Sequence, residues 1–423
     1  MIRRLKAARF ASAVFAFTAL LACADGESGS PHPTDRLDFP VSATADPSGR
    51  LVWVVSGNFD LAWRGAGILA IDVLENRFVP ELAFEIGNFP GALSFLEKDG
   101  RAVAGYLTSR EEDSLYTIKF GGDDPSRPTV SCTDGKRGAD DQILHCPSTG
   151  TVTTVTASDD TELTVGDDPY ASLIAPKRRA GDKDLLVVGG LADGKLATLS
   201  LAADGTPTLD GNFALGKGLV GLARNPATGR LFASSKLAAS IAVLDIARRP
   251  WADDPDVADP VNPWLALVST VTLPEQLNAR DRARALAISA DGTRLYATYR
   301  APDSLVILDI ADDGQGNPRN RVLHRVSLAD DPNDIEVVQG PDGTELLYVS
   351  CFRGNRIEVI EAKSGVVLGS VKVGLGPSDM AVIDRPDLGV RRLYVALFNA
   401  NAVGVVELDP ASPYYHTEIA EIR

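Results

Sequence analysis

The chain has 423 residues, and its 57 acidic residues outnumber its 42 basic residues to give a formal net charge of −15. This surplus of negative charge repels phosphate, which argues against nucleic acid or an anionic lipid surface as a partner. The four histidines are scattered along the sequence, which argues against a multi-histidine metal centre and against a histidine-dependent catalytic triad.

The N-terminus has the pattern of an export signal. Basic residues occur within the first nine positions, and the apolar stretch that follows, residues 10–22, is shorter than the about 20 residues of a membrane span. The sequence Leu20-Leu21-Ala22-Cys23 resembles the cleavage box of a bacterial lipoprotein. The resemblance implies that residues 1–22 are a signal peptide and that Cys23 is the lipidated first residue of the mature chain. The alternative is an ordinary signal peptide in which Cys23 has no role.

A short polar segment follows the lipidation site. Residues 23–36 are small and lack a hydrophobic period, which predicts a flexible tether between the lipid anchor and the folded domain. Ala24, and not an aspartate, follows the cysteine. By analogy with enteric lipoprotein sorting, this favours the outer membrane, with the domain facing the periplasm or the cell surface.

A repeated pattern begins at Pro40 and occurs seven times. Each copy combines apolar stretches with a turn that contains Gly or Asp, as in Asp46-Pro-Ser-Gly-Arg-Leu-Val-Trp-Val and Asp291-Gly-Thr-Arg-Leu-Tyr-Ala. A period of roughly 45 to 80 residues with four short strands per copy is typical of a propeller blade. The pattern predicts an all-β, seven-bladed β-propeller with four antiparallel strands per blade, forming one domain over residues 37–423.

The phase of the repeat predicts where the strands begin and how the ring closes. Each inner strand follows a position that is often proline. The outer strand of the last copy lies at the C-terminus, around residues 416–422. We therefore expect blade 7 to pack against blade 1, with residues 36–39 as an alternative short closing strand. The proline-like positions are Pro40, Pro90, Pro169, Leu219, Ala283, Pro332 and Pro377.

The last three copies carry a recognisable motif. Val373-Gly-Leu-Gly-Pro-Ser-Asp, followed later by Arg392-Leu-Tyr-Val-Ala-Leu-Phe-Asn, resembles the YVTN-type, WD40-like bacterial β-propeller repeat. The resemblance covers about the whole mature chain and is clearest in blades 5 to 7. It implies a fold and not one activity, because the family includes adhesion-type proteins, lactonase-like enzymes and electron-transfer accessories.

The cysteines left after lipidation fit an exported protein. Cys132 and Cys146 flank a polar segment, and we predict a disulfide between them that stabilises the fold by about 3 kcal/mol. The alternative, a zinc site, lacks the paired Cys-x-x-Cys spacing. Cys351 is expected to be a small buried residue. Without a Cys-x-x-Cys-His motif, covalent haem attachment is excluded.

Two insertions interrupt the repeat, at about residues 121–160 and at residues 248–264. Both are predicted to follow a third strand, on the face opposite the loops that enter the inner strands. The second insertion is rich in proline and contains Trp251 and Trp264, which makes it a candidate protein interface. The alternative is that the two tryptophans pin the loop to its own blade.

One position of the repeat is expected to face the central axis, two residues after the proline-like position. It holds Asp334 and Asp379 in adjacent blades, with Arg284 entering from blade 5. The pair is a candidate axial site for a divalent cation such as calcium or for a cationic ligand. The alternatives are a salt bridge to Arg284 and carboxylates that cap turns. The seven residues at this position are Ser42, Ala92, Ala171, Gly221, Ala285, Asp334 and Asp379.

No short catalytic motif appears in the chain. It has no Gly-x-Ser-x-Gly elbow, no phosphate-binding glycine loop and no His-Glu-x-x-His, so we assign no catalytic residue, metal centre or organic cofactor. We therefore expect a non-enzymatic envelope scaffold that binds an envelope protein or a small ligand, as a monomer or a subunit of a complex. The alternatives are a lactonase-like hydrolase with an acidic axial site and an accessory subunit of an envelope redox or secretion complex.

Overall fold

The computed structural model describes residues 29–137, 143–148, 164–177, 182–247, 262–273, 282–340 and 342–423. The predicted signal peptide, Cys23 and Trp251 lie outside these residues. Within them, no helix has the length and the apolar character needed to cross a bilayer.

The strands form seven sheets in chain order, antiparallel except for the pairing of β10 in the first, which confirms the predicted seven-bladed propeller. Blade 1 consists of β1 Pro40–Ala45, β2 Leu51–Ser56, β3 Ala66–Asp72, β4 Arg77–Phe78 and β5 Phe84–Ile86. Blade 2 consists of β6 Ser94–Lys98, β7 Arg101–Ser109, β8 Ser114–Gly121 and β9 Thr129–Cys132. Strand β10, Leu144–His145, then joins the outer edge of blade 1. Blade 3 consists of β11 Pro169–Ala175, β12 Asp184–Gly190, β13 Lys195–Leu201 and β14 Pro207–Ala214.

The other four blades have the same order of strands, from the axis outward. Blade 4 has β15 Leu219–Arg224, β16 Leu231–Ser235, β17 Ser240–Ile246 and β18 Leu265–Thr272. Blade 5 has β19 Arg282–Ile288, β20 Arg294–Arg300, β21 Ser304–Asp309 and β22 Arg321–Ser327. Blade 6 has β23 Pro332–Gln339, β24 Glu345–Cys351, β25 Arg356–Glu361 and β26 Val366–Lys372. Blade 7 has β27 Pro377–Arg385, β28 Val390–Leu397, β29 Ala402–Glu407 and β30 Glu418–Ile422.

The turns after the inner strands are built by side-chain acceptors. In blade 1, the Asp46 carboxylate accepts hydrogen bonds from the backbone N–H groups of Ser48 and Leu51, and Gly49 has a φ of 65°. Asn225 has the same role in blade 4. Short polar side chains and glycine favour such turns, which is why the turn pattern identified the blades.

The core lies between the blades. The second and third strands of most blades are largely buried, as in β2 and β3, because both faces of each sheet pack on a neighbouring blade. The ring closes in the same way, by a cluster of side chains shared between blades 7 and 1. Residues 36–39 form no closing strand; Leu37 is instead buried in that cluster.

The chain before the propeller packs on blade 1. The Ser30 carbonyl accepts a hydrogen bond from the Arg64 N–H at 2.8 Å, and the His32 N–H donates to Glu85 Oε2 at 3.0 Å. The His32 ring is 1% exposed and fills space beside Gly67 that a Cβ would occupy. Burial lowers the pKa of His32 to about 4. Residues 29–36 of the predicted tether therefore lie against the domain.

The first insertion is placed differently from the prediction. Strand β9 is the fourth strand of blade 2, so the cysteine hairpin follows the fourth strand and not the third. The hairpin turns back to the preceding blade, where β10 pairs with β5 in parallel. Cys132 and Cys146 form a disulfide, with their Cα atoms 5.8 Å apart. The bridge thus joins blade 2 to a strand that extends blade 1.

The second insertion lies between β17 and β18, after a third strand as predicted, and residues 248–261 are outside the described residues. Trp264 is 3% exposed. Its Nε1 donates to Asp210 Oδ2 at 2.6 Å, and its ring packs on Ala175 and Leu185 of blade 3. The side chain therefore packs between blades 3 and 4 and presents no surface to a partner.

Candidate functional site

The seven residues that the repeat placed at the axis line one cavity of about 460 Å³. In six blades the register between the first and second strands shifts at this position, for instance between Pro169 and Ala171. Such a bulge inserts an unpaired residue and re-aims the side chain next to it. The bulges therefore turn one side chain per blade toward the axis.

Asp334 and Asp379 lie side by side in this ring. Asp334 Oδ2 accepts a hydrogen bond from the Met380 N–H of blade 7 at 3.0 Å. Asp379 Oδ2 accepts one from the Ala43 N–H of blade 1 at 3.2 Å. Each carboxyl therefore uses one oxygen to bind the backbone of the next blade, and the two side chains are close enough to interact directly with each other. This is a capping role, but across a blade interface and not within a turn.

A third acid, Glu336, lies two residues further along β23, close enough to Asp379 for their charges to interact. Burial, together with the negative charge of Asp379, raises the pKa of Glu336 to about 8. Burial and the charges of Asp379 and Glu336 raise the pKa of Asp334 well above its usual value, and burial raises that of Asp379. Like charges this close in an enclosed space are not all ionised together. At neutral pH Glu336 therefore holds a proton, and the protonated form of each aspartate is favoured relative to an exposed carboxyl.

The arrangement of these acids bears on metal binding. Among the described residues, no three His, Cys, Asp or Glu side chains are arranged to hold a metal ion. Calcium prefers six to eight oxygen ligands, including ionised carboxylates. Binding of a divalent cation stays a prediction.

Arg284 lines the same cavity but does not pair with the axial acids. Within the described part of the chain, no carboxylate lies within ion-pair distance of its guanidinium, and its buried Nε has no hydrogen-bond partner. The predicted salt bridge to Asp334 or Asp379 is therefore absent. Arg300, its neighbour, is paired with Asp331 at 2.6 Å. Burial and the nearby charge of Arg284 lower the pKa of Arg300 to about 10.

Five phenylalanines from separate loops cluster at the mouth of the channel. Ring centroids of neighbouring members are 5.2 to 6.2 Å apart, mostly in tilted or edge-on orientations. Phe59 is 42% exposed and the other rings are half-buried. Three of them line the cavity itself. This phenylalanine cluster consists of Phe39, Phe59, Phe89, Phe352 and Phe398.

Two members of the phenylalanine cluster sit on unfavourable backbone. Phe39 and Phe89 have φ values of 46° and 53°, at the repeat position where other blades have Asp168, Gly218 and Asp331. Glycine and aspartate tolerate this left-handed conformation, whereas a bulky residue adopts it at a cost of about 1 kcal/mol or more. The fold therefore places two large apolar side chains at the mouth despite a local cost.

The sequence identified part of this site. The repeat phase found Asp334, Asp379 and Arg284, and all three line the cavity. Glu336 was missed, although its spacing of two residues from Asp334 puts both on one face of a strand. The phenylalanine cluster was also missed, because its members come from four blades and share no local motif.

Comparisons support the fold. No family model and no curated protein matches the chain. Its fold and cavity define a seven-bladed propeller with a lined axial channel, and the propeller fold is shared by solved structures of low identity. They include the periplasmic gluconolactonase PpgL of Pseudomonas aeruginosa, with 18% identity, a TM-score of 0.54 and coverage of 80% of this chain and 87% of that chain. Sqt1 of Saccharomyces cerevisiae has 13% identity, a TM-score of 0.57 and coverage of 90% and 98%.

A putative 6-phosphogluconolactonase from Bacteroides fragilis has 15% identity and a TM-score of 0.55, and the match covers 81% of this chain and 86% of that chain. At these identities the likeness shows the fold alone. The YVTN-type resemblance is therefore supported at the level of the propeller and not as a family assignment.

Proposed function

We propose that this protein is a non-enzymatic binding module of the cell envelope that holds its target at the mouth of the axial channel. The phenylalanine cluster is the observation that carries this proposal. A partly exposed apolar cluster around a cavity is typical of a binding site, since it gains free energy when a partner removes it from water. The target is an envelope protein or a small ligand with an apolar part.

The position in the envelope rests on the N-terminal sequence. Cys23, in the lipoprotein-like cleavage box, would carry the lipid, and outer-membrane placement follows from Ala24 by analogy. Residues 23–36 would connect this anchor to the propeller, and residues 30 and 32 of this segment contact blade 1.

Affinity capture of the tagged, full-length lipoprotein tests the proposal. Phe59→Ala removes the most exposed ring of the cluster, and we expect it to weaken capture of the co-purifying partner about tenfold. The matched control is Leu368→Ala, because Leu368 is 58% exposed on the outer strand of blade 6, away from the channel. Equal capture by wild type and Phe59→Ala would contradict the proposal.

A lactonase-like hydrolase is the second candidate function. It is favoured by Asp334 and Asp379, two acids with raised pKa values that line the axial cavity, as general acid and base catalysis requires. Hydrolysis of a lactone by the wild type that is lost in Asp379→Asn would replace the binding module with this function. An accessory role in an envelope redox or secretion complex would be recognised by the identity of the captured partner.

A further inference from the structure

The cavity has two chemically different walls. The phenylalanine cluster supplies an apolar wall beside blades 7, 1 and 2 through Phe59, Phe89 and Phe398. Arg284, from blade 5, supplies a cationic group on the wall of the same cavity. A volume of about 460 Å³ falls in the range that accommodates small-molecule ligands.

Arg284 is a cationic side chain with no ion-pair partner among the described residues. The described residues offer its buried Nε no acceptor and its charge no carboxylate. Arg284 is half-buried, and a partly desolvated cation without a counter-charge is unfavourable; the neighbouring guanidinium of Arg300 adds repulsion. Arg300 itself is compensated by Asp331, whereas Arg284 is not. An anion bound in the cavity would supply both the counter-charge and the hydrogen-bond acceptor that Arg284 lacks.

The axial acids do not compete for this role. Asp334 and Asp379 direct one oxygen each to a backbone N–H of the next blade, out of ion-pair distance from Arg284. Burial and mutual repulsion raise the pKa values of Asp334 and Glu336, which favours the protonated, uncharged forms of these two acids. A protonated carboxyl also donates a hydrogen bond, so it can bind an anionic oxygen.

We infer that the axial cavity binds a small organic anion, whose acid group pairs with Arg284 and whose apolar body packs on the phenylalanine cluster. The inference rests on the proposed function, since it names a ligand class for the same channel. Guanidinium forms two parallel hydrogen bonds with a carboxylate or a phosphate, so either acid group fits. The apolar wall selects ligands with an aliphatic or aromatic body over a bare inorganic anion.

Three probes of equal size separate charge from shape: 4-phenylbutyrate, 4-phenylbutylamine and 4-phenyl-1-butanol. Binding to the detergent-solubilised, full-length protein is measured by calorimetry, with inorganic phosphate as a fourth probe. We expect the butyrate to bind at least tenfold more tightly than the amine, the alcohol or phosphate. This comparison needs no variant and is therefore independent of folding defects.

Arg284→Met tests the residue itself. We expect it to weaken butyrate binding about 10- to 100-fold, because a charge-assisted pair is lost. The control is Arg325→Met, an exposed arginine on the outer strand of the same blade, which should leave binding unchanged. Arg284→Lys, which keeps the charge, should retain part of the affinity and guards against a loss caused by misfolding.

Tighter binding of the amine, or unchanged butyrate binding in Arg284→Met, would overturn the inference. If no probe binds but the captured partner still depends on Phe59, the binding-module proposal holds and the anion inference falls. If the partner is also indifferent to Phe59, both fail.

Discussion

Two aspartates at one repeat position serve the fold and the cavity together. Asp334 and Asp379 each bond the backbone of the next blade, which ties blades 6, 7 and 1 at the axis. At the equivalent position, blades 2 to 5 have only alanine or glycine, and their inner strands manage without such a bond. The acids are therefore not a requirement of the fold, which is why a role in the cavity is worth testing.

Glu336 predicts a specific pH dependence of stability. Its pKa rises from 4.5 in the unfolded chain to about 8 in the native protein. Between these values the native state keeps a proton that the unfolded state has lost, so stability falls as pH rises through this window. Glu336→Gln removes the ionisation. We expect the variant to melt on the order of 2–5 °C above wild type at pH 9, with a smaller difference at pH 4.

The measurement is the melting temperature of both proteins by calorimetry from pH 4 to pH 9. Glu97→Gln, a change at an exposed glutamate of blade 2, is the control and should follow wild type across the range. A constant difference between Glu336→Gln and wild type at every pH would show that Glu336 does not hold the extra proton.

The repeat predicts which residues face the axis, but it does not predict the contacts that they make. One side chain per blade is set by strand phase, so Asp334 and Asp379 could be aligned without a structure. Whether Arg284 forms an ion pair could not be predicted, because this depends on distances of a few ångströms across the channel. Phe59 and Phe398 meet only because the ring closes, and no local pattern encodes that contact.

The hairpin that carries β10 is an element that couples two blades. His145 Nδ1 lies 3.1 Å from Glu85 Oε1, and Arg64 Nε lies 2.6 Å from the same oxygen. Burial would raise the pKa of Glu85, but hydrogen bonds from His145, from the His32 backbone and from Arg64 outweigh it and hold that pKa below its usual value. The hairpin therefore supplies a hydrogen bond, from His145, to a fully buried acid in blade 1.

Strand β10 is an element that the sequence patterns do not predict. The Cys132 and Cys146 spacing predicted a closed hairpin, but two residues pairing in parallel with a strand some 60 residues away give no periodic signal. The returning chain is specified by the burial of Leu144 and by the Glu85 cluster, both of which are tertiary contacts.

The disulfide that closes this hairpin predicts a redox-sensitive stability. The bridge closes a loop with a sequence separation of 14 residues. We expect the double variant Cys132→Ser, Cys146→Ser to lose about 3 kcal/mol of unfolding free energy, because its unfolded chain is less constrained. Urea unfolding measures the loss.

A reductant supplies the matched control for the disulfide. It should lower the stability of wild type to that of the double variant and leave the variant unchanged. Cys351 does not interfere, since it is fully buried and burial raises the pKa of its thiol to about 12. A wild-type protein that is indifferent to reductant would contradict the stabilising role.

At the scale of the whole molecule, neighbouring blades are joined by a recurring tyrosine bond. In blade 6, the Tyr348 hydroxyl pairs with His416 Nε2 of blade 7 at 2.7 Å. In blade 7, the Tyr394 hydroxyl donates to Asn76 Oδ1 of blade 1 at 2.8 Å. Tyr296 makes the corresponding bond to Glu345. The interface that closes the ring is therefore joined by the same kind of tyrosine hydrogen bond as the interfaces between consecutive blades.

This equivalence predicts how the ring fails. Tyr394→Phe removes the hydroxyl at the closing interface, and Tyr348→Phe removes it at an internal interface, while both keep the buried ring. Each variant should lose about 1 kcal/mol of unfolding free energy, since each loses the hydrogen bonding of one buried hydroxyl group. Urea unfolding of the two variants beside wild type makes the comparison.

Because blades 7 and 1 also share a continuous apolar cluster and the Asp379 bond, we expect the two losses to agree within about 0.5 kcal/mol. A loss at Tyr394 that is several times larger would show that the closing interface is the weak seam, where the ring opens before any blade unfolds.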